Sequence, residues 1–327
     1  MKLLIALYHR FELWQTPEWF SKWLRRDFPQ LEVVHLPNYD RVIEEIADAD
    51  IAISWSLRGD QIQAAKKLRW IHSTAAAVHQ LMTPELRASD IVVTNARDVH
   101  GPVVAEHVIA LAFALAKRLP QAVRYQQQKH WAQHDLWDER PRPRELNGAT
   151  MTIVGLGAIG APLARLAKSL GMRVVGVREH PERGGEGADA AHGFEDLDQA
   201  LSAADFIVLA VPVTPKTRHL MDAERLVLLK SDAYLINVGR GVLIDEAALV
   251  NALRAKSFGG AALDVTTEEP LPAESPLWKM QNVLITPHTA GLTEKMWERH
   301  YEHYTKNLRR FLRGEPLLWV VDKERGY

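Results

Sequence analysis

The chain has no cysteine in its 327 residues. That absence excludes a disulfide framework, a thiolate zinc site and a cysteine nucleophile, and it fits a cytoplasmic protein. A surplus of charge of either sign is missing too. With 40 Lys and Arg against 41 Asp and Glu, the formal net charge of −1 gives no global field to draw in nucleic acid or an anionic membrane. Long apolar runs are equally scarce. The opening MKLLIALYHRF turns polar at His9 and Arg10, too early for the apolar region of a signal peptide, and reads as a first buried strand. The stretch 103–116 is interrupted by Glu106 and His107 and falls short of the roughly 20 residues that span a bilayer, so it is expected to be a buried helix. No H-E-x-x-H or comparable ligand cluster supports metal chemistry, and no internal repeat or low-complexity tract occurs.

What the chain does contain is a strand-and-helix rhythm. Short apolar runs at 3–7, 31–36, 51–54, 70–73 and 91–94 alternate with segments of helical length, which implies a parallel sheet. A second series begins at Thr150, with runs at 150–154, 173–177, 206–210, 233–237, 260–264 and 283–285. The expected fold class is α/β, with two doubly wound parallel-sheet domains. Between the series lies the polar, aromatic-rich segment 124–146, in which Pro141 and Pro143 stop any helix. Its bases and aromatics are interleaved with Asp135, Asp138, Glu139 and Glu145, so it is expected to be an arm on a partner subunit rather than a nucleic-acid surface. A final helix, roughly 292–312, follows the last strand.

The second series opens with TIVGLGAIG. Glycines alone are a weak signal, because they also end strands and permit close packing. Here Gly155, Gly157 and Gly160 follow the strand TMTIV and open the helix APLARLAKSL, which Gly171 closes before the next strand, RVVGV. That is the βαβ context of a dinucleotide site: a tight turn at Gly155, close backbone approach to a pyrophosphate at Gly157, helix packing at Gly160, and free N–H groups at the helix start. Ala158 and Ile159 belong to the same loop. Arg178 stands at the end of the second strand, where an acidic residue would bind the NAD ribose and an arginine suits a 2′-phosphate. NADP is therefore favoured over NAD, with Glu179 next door keeping NAD open.

Later strand ends carry Val211 and Pro212, Val238 and Arg240, Asp264 and Glu269, and His288. Reducing a 2-keto acid needs a cation for the substrate carboxylate and an acid for the forming alkoxide. Arginine grips carboxylate bidentately and stays charged, and an imidazolium donates a proton near neutral pH. A neighbouring carboxylate such as Glu269 orients the ring and favours its protonated form. The expected small-molecule partner is thus a 2-keto or 2-hydroxy acid.

The order of glycine loop, NVGRG arginine, EEP glutamate and PHTAG histidine resembles the D-isomer-specific 2-hydroxyacid dehydrogenase family, which includes glyoxylate/hydroxypyruvate reductases and phosphoglycerate dehydrogenases. The resemblance covers nearly the whole chain. It implies that Arg240 binds substrate, His288 is the acid/base and Glu269 pairs with it, while Asp264 meets the nicotinamide carboxamide and Ile159 a phosphate. It also implies a flavodoxin-like substrate domain, 1–98 plus 291–327, with a Rossmann cofactor domain, 99–290, inserted into it, and a homodimer formed through the cofactor domain. Where the family commonly has a GVD loop presenting N–H groups to the substrate carboxylate, this chain has STAAAVHQ, with Ala77 and Val78 as the expected donors and His79 in place of an acid. Arg58 is a candidate for a second anionic group on the substrate. Formate dehydrogenases of the same fold typically pair the histidine with glutamine, so Glu269 argues against them. The alternative without turnover is a dinucleotide-sensing scaffold resembling a corepressor.

Overall fold

A strand buried on both faces needs apolar side chains at successive positions, and that is what the first series supplies. In the computed structural model, which describes residues 1–9 and 11–324, it forms β1 (Lys2–Ile5), β2 (Glu32–His35), β3 (Ile51–Ile53), β4 (Trp70–His72) and β5 (Val92–Thr94). All pair in parallel in the order β2-β1-β3-β4-β5. Neighbouring residues on a strand face opposite sides. Leu4, Ala52 and Ile71 enter one core with Ile46 and Val93, and Leu3, Ile51 and Trp70 enter another with Phe20 and Leu24.

The helix Met296–Leu312 covers that second core, burying Trp297, Tyr301, Tyr304 and Leu308 at helical spacing. Trp70 stacks on Tyr304, with centroids 5.2 Å apart and planes at 15°. This helix belongs with the first sheet to one compact unit, Met1–Val99 plus Thr293–Tyr327, and His100–Leu292 is a second unit.

The second unit holds β6 (Thr150–Val154), β7 (Arg173–Val177), β8 (Ala190–His192), β9 (Phe206–Leu209), β10 (Tyr234–Asn237), β11 (Gly260–Leu263) and β12 (Val283–Ile285). They too are all parallel, in the order β12-β11-β10-β9-β6-β7-β8. Both sheets are doubly wound. The order reverses between β9 and β6, and a ligand crevice forms outside the carboxyl ends of strands at such a point. β8 is absent from the sequence-based expectation. Its Ala-Ala-His stretch is only half buried and has neither β-branched nor aromatic residues to signal a strand.

The apolar stretch becomes the helix Gly101–Ala116, packed beside the helix Gly160–Ser169. The segment after it forms two short helices, Leu119–Gln127 and Gln133–Asp138. Arg118, left-handed at φ 56°, ties them down by donating to the Pro141 carbonyl at 2.9 Å and pairing with Glu139. Glu139 also accepts from the Tyr125 hydroxyl at 2.6 Å. Among the described residues no helix is long and apolar enough to cross a membrane.

Candidate active site

Because the seven strands of the second unit run parallel, every loop that follows one emerges at the same sheet edge. The loop after β6 is the glycine turn. Gly155 sits at φ +106°, and a Cβ there would lie 2.5 Å from the Ala210 carbonyl oxygen on the neighbouring loop. Only glycine suits that backbone. A Cβ on Gly160 would come within 1.9 Å of the Gly155 carbonyl oxygen, so this position lets the helix begin directly above the turn. Gly157 differs, since a Cβ there would meet nothing within 4 Å. Its open side is the space a pyrophosphate would fill. Among the described residues, the N–H groups of Ala158 and Ile159 donate to no backbone carbonyl, which leaves them for an anion at the start of the helix. Gly171, at φ +76°, ends that helix with its N–H on the Lys168 carbonyl at 2.9 Å.

Val211, whose side chain lies against Gly155, and Val238 are buried, and the Pro212 carbonyl is fixed by the Thr217 hydroxyl at 2.7 Å. Arg178 follows β7 directly. Its side chain is 17% exposed, its Nη1 donates to the Gly184 carbonyl at 3.0 Å, and Glu186 lies 3.9 Å away. The guanidinium is thus partly buried at the end of β7, with Glu186 as its counter-charge. Together with the open glycine turn, these residues fit a nicotinamide dinucleotide.

Arg240 follows β10. Its backbone is set by Asn237, fully buried, whose amide donates to the Arg240 carbonyl at 2.9 Å and accepts from the Gly239 N–H at 3.1 Å. Gly241 is packed so tightly on the next loop that a Cβ would sit 2.0 Å from the Thr266 carbonyl carbon. That close approach joins the arginine loop to the loop carrying Glu269. Glu269 Oε1 accepts from the Thr266 N–H at 3.1 Å, and its Oε2 meets His288 Nδ1 at 2.7 Å. With the carboxylate as acceptor, Nδ1 carries a hydrogen, and Nε2 is the ring nitrogen outside this contact.

His288 itself is held at φ 52°, and its N–H reaches the Asp264 carbonyl at 2.8 Å. Asp264, 3% exposed at the end of β11, accepts from the Thr286 hydroxyl at 2.6 Å and from the N–H groups of Thr289 and Ala290 at 2.9 and 3.1 Å. The structure thus brings together Arg240, Asp264, Glu269 and His288 through three adjoining loops of one unit.

Ala77 and Val78 belong to the first unit, in the loop after β4. Ser73 Oγ accepts from the Ala75 N–H at 3.2 Å, and Asn95 Nδ2 donates to the Ala76 carbonyl at 2.7 Å, which fixes the loop. Val78 is buried and Ala77 half-buried, and among the described residues neither N–H has a protein acceptor. Arg58 forks onto Asp60 at 3.0 and 2.9 Å. The residue that sequence reasoning left out of the site is His107, whose Nε2 lies 3.1 Å from Thr286 Oγ1. Its signal was present as a polar interruption in an otherwise apolar helix.

The sequence profile of the D-isomer specific 2-hydroxyacid dehydrogenase NAD binding domain matches residues 109–290. The chain is 33% identical over 296 residues to the D-3-phosphoglycerate dehydrogenase of Methanocaldococcus jannaschii, covering 90% of this chain but only 55% of that protein. It spans more of the glyoxylate reductase of Korarchaeum cryptofilum, to which it is also 33% identical, with 88% of this chain and 87% of that one aligned. Among solved structures, the D-isomer specific 2-hydroxyacid dehydrogenase of Xanthobacter autotrophicus Py2, in complex with NADPH and MES, superimposes with a TM-score of 0.82 at 31% identity, over 100% of this chain and 99% of that one.

Proposed function

We propose, for a chain that belongs to the D-isomer specific 2-hydroxyacid dehydrogenase family, that it reduces a small 2-keto acid to the D-2-hydroxy acid and prefers NADPH to NADH. The observation that carries this reading is the 2.7 Å contact between His288 and Glu269 on loops adjoining that of Arg240. Arg240 holds the substrate carboxylate and polarises the keto oxygen. Bound along the glycine turn, the reduced dinucleotide supplies the hydride. His288 delivers its Nε2 proton to the oxygen that gains charge, and Glu269 stabilises the ring while it is cationic. Chiral analysis of the product from a glyoxylate, hydroxypyruvate, phenylpyruvate and branched-chain keto acid panel tests this. Chiral products are expected in the D configuration, and an L product contradicts the assignment.

The cofactor preference rests on Arg178. Arg178→Ala should weaken NADPH binding by roughly 10- to 100-fold, the worth of a hydrogen-bonded charge, and leave NADH binding nearly unchanged. Dissociation constants from tryptophan fluorescence check it; equal losses for both dinucleotides would remove Arg178 from the phosphate role.

The same reading makes the chain a homodimer through its second unit. That unit exposes Leu119, Val123 and Trp131, the last at 90%, as apolar side chains a partner subunit would cover. Sedimentation equilibrium should give twice the chain mass of 36.9 kDa, and a monomer at micromolar concentration would contradict it.

A further inference from the structure

Behind His288 runs a chain of polar side chains, of which His107 and Thr286 have no role in the reading above. It begins on the helix Gly101–Ala116, whose buried face is apolar except for His107. His107 Nε2 lies 3.1 Å from Thr286 Oγ1 and 3.6 Å from Asp264 Oδ1. Thr286 Oγ1 donates to Asp264 Oδ1 at 2.6 Å. A hydroxyl has one hydrogen, and here it is committed to the carboxylate. The Thr286 oxygen can then only accept from His107, so Nε2 of His107 carries the hydrogen and the chain has a fixed direction.

Its far end is the turn that carries His288. Asp264 accepts from the Thr289 N–H at 2.9 Å and from the Ala290 N–H at 3.1 Å on each oxygen, and its own carbonyl takes the His288 N–H at 2.8 Å. These bonds fix three successive residues. They matter because His288 is left-handed at φ 52°, a conformation that is unfavourable for a non-glycine residue and persists only where its surroundings impose it. Freed from the clasp, residues 286–290 would relax and carry the imidazole away from Glu269.

We propose that His107 is a positioning residue: through Thr286 and Asp264 it sets the 286–290 turn, and so the aim of the His288 ring. The inference rests on the reading of His288 as the proton donor. The competing account, a histidine that only fills space against the sheet, predicts that any side chain of similar bulk would serve.

His107→Leu and His107→Gln separate the two. Leucine keeps the volume without a donor, whereas the glutamine amide keeps an N–H directed at Thr286. His107→Leu should lower kcat about 10- to 100-fold with the substrate KM and the NADPH dissociation constant unchanged, because a displaced catalytic group costs turnover rather than binding. His107→Gln should recover most of that loss. Thr286→Val, which breaks the chain on a different element, should reproduce the leucine result and serves if His107→Leu does not fold. The imidazole 13C–1H signal of His288, assigned by its loss in His288→Gln, supplies a readout that needs no turnover. It should shift or broaden in His107→Leu and return in His107→Gln. An unmoved signal in a folded His107→Leu overturns the proposal, as does a His107→Gln as impaired as the leucine variant. Absence of turnover in the wild type would instead count against the proposed activity and leave the spectroscopic test to decide the positioning.

Discussion

Replacement of His288 by alanine should lower kcat for 2-keto acid reduction by about 10²- to 10⁴-fold, the contribution of a positioned general acid, while dinucleotide affinity stays as it was. The side chains of His288 and Glu269 are 53% and 39% exposed. Water screens such a pair, so its contribution to folding is small and its value lies in orientation. Alanine therefore removes the acid with little effect on stability. Steady-state kinetics, with the dissociation constant of NADPH measured separately, distinguishes this from a general loss of structure. Wild-type turnover in the variant would take the proton-transfer role away from His288.

Arg240→Ala should reduce kcat/KM by roughly 10²- to 10⁴-fold, since two hydrogen bonds to a charged partner, each worth about 1.5–3 kcal/mol, are lost together. Among the described residues no carboxylate pairs with this guanidinium; its one contact is Nη1 on the neighbouring Gly239 carbonyl at 2.7 Å. An exposed arginine with no ion pair among the described residues, on a loop held by the buried Asn237, suits the carboxylate-binding role proposed for it. Arg240 differs from His288 in its kinetic signature. Losing it should raise KM as well as lower kcat, because it holds the substrate before and during reaction. Lysine should rescue only part of the loss, as it keeps the charge without the planar fork. A variant with unaltered KM would mean that the carboxylate binds elsewhere.

Much of this architecture was legible in the residues. Strands buried on both faces announce themselves as continuous apolar runs, and eleven of the twelve strands among the described residues coincide with such runs. β8 escaped because Ala190, Ala191 and His192 sit half exposed at a sheet edge, where pairing is set by the neighbouring strand rather than by side chains. The glycine loop was readable because its glycines answer local demands: a positive φ at Gly155 and a backbone contact at Gly160.

The order of Arg240, Glu269 and His288 could be read from motifs, but the clasp behind them could not. Asp264 and Ala290 are 26 residues apart, and His107 and Thr286 are 179 apart, so only the folded sheet brings them together. Arg178 lies between. Its place after β7 follows from the βαβ pattern, whereas its contacts with Gly184 and Glu186 depend on the turn of a loop rich in glycine.

The central claim, that this site reduces a 2-keto acid, is tested most directly by the initial rate at which reduced nicotinamide is oxidised with a panel of 2-keto acids, with NADPH and NADH run in parallel. Oxidation that requires the keto acid and runs faster with NADPH is the predicted result. Failure of every keto acid to oxidise either dinucleotide, in a protein that binds them, would contradict the account and favour a scaffold that senses the cofactor without turning it over.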